Sequence, residues 1–295
     1  MNRSLFSDLK STFKYSSSNI RFIIINAAVF LIISLISLPF YFANIDSVFN
    51  EIIEWFAIPS SPSLLIKKPW TLITYMFVHH DFFHLFFNML MLFWAGRIFT
   101  EYLGDKRLVS TYLIGGIFGA VLYLIAYNTL PVFQHINSIN MGASGAVLAV
   151  LIAIATYLPN YSVFMVLIGP IKLKYIALIL VLIDVLSIEK GNAGGHITHL
   201  GGAIYGYIYS TQLAKGRNIA LWFDNTVNFF SNLFKPKSKL KVSYRRNEAN
   251  YSENQNDYKS NQQKIDEILD KISKSGYESL SKSEKELLFK ISKNL

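Results

Sequence analysis

Six stretches of the chain are apolar over enough residues to cross, or nearly cross, the hydrocarbon core of a membrane. A helix rises ~1.5 Å per residue and that core is ~30 Å thick, so about 20 apolar residues can span it. Hydrophobic residues make up 52% of the 295, and the mean hydropathy is +0.33, too apolar for an ordinary soluble domain. The sequence therefore predicts an all-α membrane protein with six transmembrane helices. The predicted spans are residues 22–43, 82–100, 108–128, 142–158, 174–188 and 197–214.

The fourth to sixth stretches are short or rich in glycine. Helices of this kind usually pack inside a bundle, because small side chains permit close backbone approach while helices facing lipid need bulk. The first stretch is too long for the apolar part of a signal peptide, so we expect it to stay as an anchor. No cysteine occurs, which excludes disulfides, a thiolate nucleophile and a Cys-ligated metal site. We expect no cofactor and no metal.

The net charge of +9 indicates membrane topology rather than nucleic-acid binding. Many Lys and Arg residues flank apolar stretches or lie in the last 80 residues, where anionic lipid headgroups explain them equally well. We therefore expect contact with membrane lipids and none with nucleic acid. Basic residues precede the first stretch and follow the second, fourth and sixth. By the positive-inside rule, both termini are cytoplasmic, and the second, fourth and sixth helices begin on the outer side.

Composition divides the chain into four parts. After the bundle, the mixture of large apolar residues with Asn suits a helix in the membrane interface, and a polar stretch rich in Asn, Ser and Gln suits a flexible linker. Apolar residues at helical spacing on both sides of Gly276 then predict two short amphipathic helices. The predicted parts are a cytoplasmic N-terminus (1–20), the six-helix domain (21–214), an interfacial segment with a flexible linker (215–262) and a cytoplasmic helical hairpin (263–295).

Four polar residues fall near the starts of the three helices that begin on the outer side. His84 and Asn88 open the second helix one turn apart, Ser144 opens the fourth, and His199 lies near the start of the sixth. A serine hydroxyl becomes a nucleophile when a base accepts its proton, and a neutral imidazole does this at physiological pH. Ser144 and His199 are therefore the candidate nucleophile and general base.

The remaining requirement of such a site is a set of hydrogen-bond donors for the oxyanion. His84, Asn88 and the backbone N–H of Ser144 are the candidates. Gly145 beside the serine permits close approach of a substrate, while Gly202 and Gly206, one turn apart, give the sixth helix a smooth strip for packing against the fourth. That packing would bring His199 to Ser144.

The ordered set of motifs resembles the rhomboid proteases over about residues 20–214. The motifs are His84-x-x-x-Asn88, Gly142-x-Ser144-Gly145 and His199-x-x-Gly202-x-x-x-Gly206, each at a helix start. The resemblance implies a six-helix rhomboid bundle of the bacterial inner membrane and a Ser144–His199 dyad without a third acidic member. It also implies an oxyanion hole from His84, Asn88 and backbone around Gly142. The implied partners are single-span or other transmembrane proteins, cut near their outer ends.

Several alternatives stay open beside this interpretation. His196 competes with His199 as the base, although only His199 has glycines three and seven residues onward. The histidines could join in a metal cluster, but no HExxH motif accompanies them. Asp184 is expected to be structural or interfacial. A catalytically silent rhomboid-fold protein that binds membrane clients is the second hypothesis, and a channel or transporter the third. The sequence leaves open the physiological substrate and the oligomeric state.

Overall fold

The computed structural model of the protein describes residues 11–165, 169–233 and 251–292. Half of the predicted N-terminal part and residues 235–250 of the predicted linker lie outside these ranges. The described chain divides into two compact units, Met1–Lys235 and Pro236–Leu295.

Helices occupy all six apolar stretches of the first unit. They are α1 (Ser18–Phe42), α2 (Phe82–Leu103), α3 (Asp105–Thr129), α4 (Ser144–Tyr157), α5 (Leu173–Ser187) and α6 (Ala193–Ala214). Three of them, α1 to α3, are long and apolar enough to cross a membrane, and α4 is a shorter apolar helix. The protein is therefore a mostly helical integral membrane protein.

Helix α4 lies at the centre of the bundle. Every residue from Gly145 to Ala155 is buried, and α2, α3, α5 and α6 all pack against the helix. Its 14 residues would rise only ~21 Å, less than the ~30 Å thickness of a hydrocarbon core. Because α4 is made mostly of Ala, Val, Ile and Leu, it offers its neighbours an apolar surface on all sides.

The segment between α1 and α2 contains short elements fixed by a tryptophan pair. The rings of Trp55 and Trp70 stack with centroids 6.1 Å apart, and the Trp70 indole N–H donates to the Trp55 carbonyl over 2.8 Å. Thr71 is buried, and its hydroxyl donates to the Lys68 carbonyl over 2.7 Å. The short helices of this segment are Asp46–Glu54, Pro62–Lys67 and Thr71–Thr74, followed by a 3₁₀ turn at Tyr75–Phe77.

Two small sheets modify the all-α prediction. Strands β1 (Ile58–Pro59) and β2 (Ile139–Asn140) pair antiparallel and join the segment between α1 and α2 to the chain just before α4. Strands β3 (Ser162–Met165) and β4 (Gly169–Lys172) form a second antiparallel pair between α4 and α5. Such short pairs leave no alternation long enough to predict from sequence. Helix α7 (Leu221–Leu233) follows α6, where an interfacial helix was predicted.

The second unit contains helices α8 (Tyr251–Ser275) and α9 (Lys282–Ser292). Gly276 separates them with a φ of 76°, a left-handed conformation that favours glycine. A hairpin was predicted for these residues. Helix α8 begins at Tyr251, within the range for which a flexible linker through residue 262 was predicted. Residues 251–262 contain neither Gly nor Pro, so nothing stops the helix from extending backward from its amphipathic part.

Candidate active site

A cavity of about 910 Å³ opens among α2, α4, α5 and α6, beside the loop that precedes α4. Four of the predicted site residues line it: His84, Asn88, Ser144 and His199. The polar groups at the starts of three separate helices are thus gathered around one space. Apolar residues of α2, α4 and α5 supply much of the remaining wall, so the polar groups face an otherwise apolar cavity.

The loop before Ser144 depends on Gly142. This residue has a φ of 128°, which side chains rarely permit, and a Cβ atom there would lie 2.8 Å from the His84 Nε2 atom. The glycine therefore lets the His84 imidazole lie against the backbone just ahead of the serine. The N–H of Gly142 donates to the Tyr75 carbonyl over 2.9 Å, so it is already engaged. The predicted oxyanion role of this backbone group does not fit that hydrogen bond.

Ser144 is the first residue of α4. The first N–H groups of a helix have no acceptor within the helix and carry partial positive charge. The preceding Ala143 N–H lies 3.4 Å from the Nε2 atom of the buried His79, which accepts this hydrogen bond. Gly142 and Ala143 are engaged, but the Ser144 N–H, at the start of α4, is a backbone donor that can be offered to an anion.

Helices α4 and α6 touch through their backbones beside the two predicted catalytic residues. A Cβ atom on Gly145 would lie 2.8 Å from the Thr198 Cγ2 atom, and one on Gly202 would meet the Gly145 carbonyl. One turn further, Gly206 lies in the same way against the Ala149 carbonyl. Ser144 immediately precedes Gly145 in α4, and His199 immediately follows Thr198 in α6. Both predicted catalytic residues are therefore adjacent in sequence to residues at which the two helices touch.

His84 and Asn88 are set by the start of α2. Asp81 caps this helix by accepting the His84 backbone N–H over 2.9 Å, a hydrogen bond that holds the pKa of the Asp81 carboxyl below its usual range. The Asn88 side chain is buried, and its amide donates to the His84 carbonyl over 2.8 Å. An amide group carries two N–H donors, so this bond occupies one of them.

Asp184, which was expected to be structural or interfacial, has a hydrogen-bond partner that sequence reasoning missed. It is buried in α5, lines the cavity, and its Oδ1 atom lies 2.7 Å from His199 Nδ1 and 2.8 Å from His196 Nδ1. His199 thus has an acidic hydrogen-bond partner, where the resemblance implied a dyad without a third acidic member. The signal was present, because an ionisable residue within a span needs a partner, but sequence spacing does not show which histidine faces α5.

The two competing histidines of α6 differ in their surroundings. His199 lines the cavity with Ser144, whereas His196 is not among the cavity residues. Among the described residues, Asp184, His196 and His199 bring potential metal-ligand atoms within 4.8 Å of one another. Both imidazoles, however, direct Nδ1 to the same carboxylate oxygen. The trio is thus held together by two hydrogen bonds that share one carboxylate oxygen.

Comparison with known proteins identifies the family of the chain. Residues 67–216, just over half of the chain, match the family model described as the Rhomboid domain. The chain is a rhomboid-fold membrane protein. It belongs to the rhomboid family, whose members are in general intramembrane serine proteases. Residues 248–294 match a separate family of unknown function.

Two curated relatives illustrate the similarity. The chain is 32% identical over 158 residues to the mitochondrial RHOMBOID-like protein 12 of Arabidopsis thaliana, covering 50% of this chain and 47% of the relative. It is 26% identical over 199 residues to the mitochondrial presenilin-associated rhomboid-like protein of Rattus norvegicus, covering 61% of this chain and 47% of the relative. The chain therefore matches less than half the length of either relative.

Proposed function

We propose that the protein is an intramembrane serine endopeptidase that cleaves membrane-anchored proteins. The observation that carries this proposal is that Ser144, His199 and His84 line the same cavity in a chain of the rhomboid family. A serine at a helix N-terminus, an imidazole on the adjacent helix and donors on a third helix together meet the needs of acyl transfer.

In the proposed reaction, His199 accepts the proton of the Ser144 hydroxyl as its oxygen attacks the substrate carbonyl. Collapse of the tetrahedral intermediate expels the amine, which takes that proton, and leaves an acyl-enzyme on Ser144. Water then attacks the ester with His199 again as base, releasing the new carboxylate and restoring the serine. The oxyanion formed in both steps would be stabilised by the Ser144 N–H, the His84 imidazole and the free N–H of Asn88.

The proposed topology has all six helices crossing the bilayer, with both termini in the cytoplasm of a bacterium and the protein in its inner membrane. Loop charges support this orientation. Because α4 is shorter than the hydrocarbon core, its first residue can lie below the outer surface and still be reached by water through the cavity. We expect substrates to be single-span or other transmembrane proteins, cut where a helix unwinds near its outer end.

The direct test uses the purified full-length chain in detergent with a single-span model substrate. We expect cleavage by the wild type and none above background by Ser144→Ala, and His199→Ala should lose about 10²- to 10⁴-fold, the usual contribution of a general base. His135→Ala is the matched control, because His135 is an exposed loop residue outside the cavity lining. Undiminished cleavage by Ser144→Ala would refute the proposal. A wild type that binds the substrate without cutting it would instead support a silent rhomboid-fold protein.

A further inference from the structure

The buried carboxylate of α5 gives the proposed catalytic histidine a fixed partner. We propose that Asp184 is a positioning residue: it holds the His199 imidazole with Nδ1 toward α5 and Nε2 toward the cavity that Ser144 lines. This inference rests on the proposed function, because it assigns a role to Asp184 in the same reaction. It replaces a dyad with a three-residue arrangement of serine, histidine and aspartate on α4, α6 and α5.

The chemistry of the contact fixes the protonation of the ring. An ionised carboxylate only accepts hydrogen bonds, so an imidazole 2.7 Å from Asp184 Oδ1 must donate through Nδ1. A neutral histidine that is protonated on Nδ1 has its lone pair on Nε2. The nitrogen that can accept a proton is then the one on the opposite side of the ring from Asp184. In serine proteases of unrelated fold, a carboxylate in this position keeps the histidine in the productive tautomer and stabilises the imidazolium that forms.

Because the Asp184–His199 contact is largely buried, it restrains the His199 side chain more strongly than an exposed ion pair would. The Asp184 side chain is 9% exposed and that of His199 is 23% exposed. A carboxylate so shielded from water needs hydrogen-bond partners to offset its lost hydration, and the two histidine N–H groups supply them. Turning His199 away from Asp184 would leave one of those bonds unmade. The His199 ring is therefore held in one orientation, because any other orientation would leave the buried Asp184 carboxylate without one of its hydrogen-bond donors.

His196 restrains the carboxylate from the preceding turn of α6. Its Nδ1 atom shares Asp184 Oδ1 at 2.8 Å, and its ring meets the His199 ring edge to face at 5.9 Å. We therefore assign the two histidines different roles, and only His199 serves as the general base. His199 presents its free nitrogen to the cavity, and His196 holds the oxygen that orients His199.

The test compares Asp184→Asn with the wild type by steady-state kinetics on the model substrate. We expect kcat to fall by about 10²- to 10⁴-fold, as when the analogous aspartate of other serine proteases is replaced, with KM within about twofold. Asp184→Glu should recover part of the lost kcat, because it restores a carboxylate acceptor. Asp105→Asn is the matched control: Asp105 accepts the Ser18 backbone N–H at the start of α3, and its replacement should leave kcat unchanged.

The outcomes separate this inference from the proposed function. If Ser144→Ala abolishes cleavage while Asp184→Asn keeps kcat within about threefold, the proposed protease function is supported and the positioning role of Asp184 is refuted. A fall in both kcat and thermal stability, with no recovery in Asp184→Glu, would also overturn it in favour of a structural role.

A second measurement on the wild-type chain does not depend on a folded variant. Nitrogen NMR of ¹⁵N-histidine-labelled protein, assigned by comparison with His199→Ala, should show His199 protonated at Nδ1 and bare at Nε2 at neutral pH. The opposite tautomer would overturn the proposal whatever the kinetics of the variants.

Discussion

Helices α1 and α4 are both strongly apolar, yet their surroundings are opposite. In the 25 residues of α1, only Asn19, Phe22 and Asn26 are buried, and large side chains such as Leu35 are exposed. In the 14 residues of α4, the whole run from Gly145 to Ala155 is buried. Apolarity therefore assigns both helices to the membrane, but it does not say which one faces lipid. The size of the side chains indicates which helix faces lipid, because the small residues of α4 let neighbouring backbones approach.

The comparison also explains where the chemistry lies. A central helix can hold a polar residue at its end and have neighbours on every side to supply partners, as α2, α5 and α6 do around Ser144. A peripheral helix has neighbours on one side only. The two buried asparagines of α1 face that side, and the Asn26 amide nitrogen, for example, lies 3.5 Å from the Tyr112 hydroxyl of α3. Changes at the α4 interfaces should therefore be costly, and similar changes on the exposed face of α1 should not.

The largest effect is expected from Gly202→Val on α6. Its Cβ would collide with the Gly145 carbonyl, which belongs to the backbone of α4 and cannot turn away. Overpacking of this kind costs about 1–3 kcal/mol, and more where backbone must move. We expect a lower Tm in detergent and cleavage lost to background. Ala214→Val, at the exposed end of the same helix, should change neither. A Gly202→Val protein with wild-type Tm and activity would contradict the central position of α4.

A smaller and more local effect is expected from Gly142→Ala. The new methyl group would press on the His84 imidazole and would also force a positive φ on alanine. If His84 serves the oxyanion, cleavage should fall by about 10²-fold, the cost of one lost donor. Gly104→Ala separates the two causes, because Gly104 has a φ of 86° and no atom within 4 Å of its would-be Cβ. Equal loss of cleavage in both variants would show that backbone strain, not displacement of His84, is responsible.

The smallest effect is expected from Leu35→Ala on α1, because Leu35 is 57% exposed. No packed cavity would form, so the free energy of unfolding should change by less than about 0.5 kcal/mol. The same substitution at Leu151 of α4, which is 2% exposed, should cost about 2–5 kcal/mol. Thermal unfolding of the two variants in one detergent measures both. Equal destabilisation by the two would remove the distinction between the helices.

Much of this organisation could be predicted from the sequence, and the omissions have physical causes. The apolar stretches indicate helices within a few residues of α1 to α6, because the length of an apolar run is a local property. The interior position of α4 was expected, because short helices with small residues usually pack inside a bundle. The pairing of Asp184 with two histidines could not be predicted, since it depends on how α5 is rotated against α6. Likewise, the hydrogen bond from the Gly142 N–H to Tyr75 depends on a loop that is distant in sequence.

The central claim is that Ser144 is a nucleophile activated by His199, and covalent labelling tests it most directly. The full-length chain in detergent would be treated with a fluorophosphonate, which phosphonylates an activated serine with loss of fluoride, and the modified residue would be found by peptide mass spectrometry. The account predicts one adduct on Ser144, formed about 10²- to 10⁴-fold more slowly in His199→Ala and with a clearly smaller loss of rate in His196→Ala. An adduct on another residue, or labelling of Ser144 at an undiminished rate in His199→Ala, would contradict it.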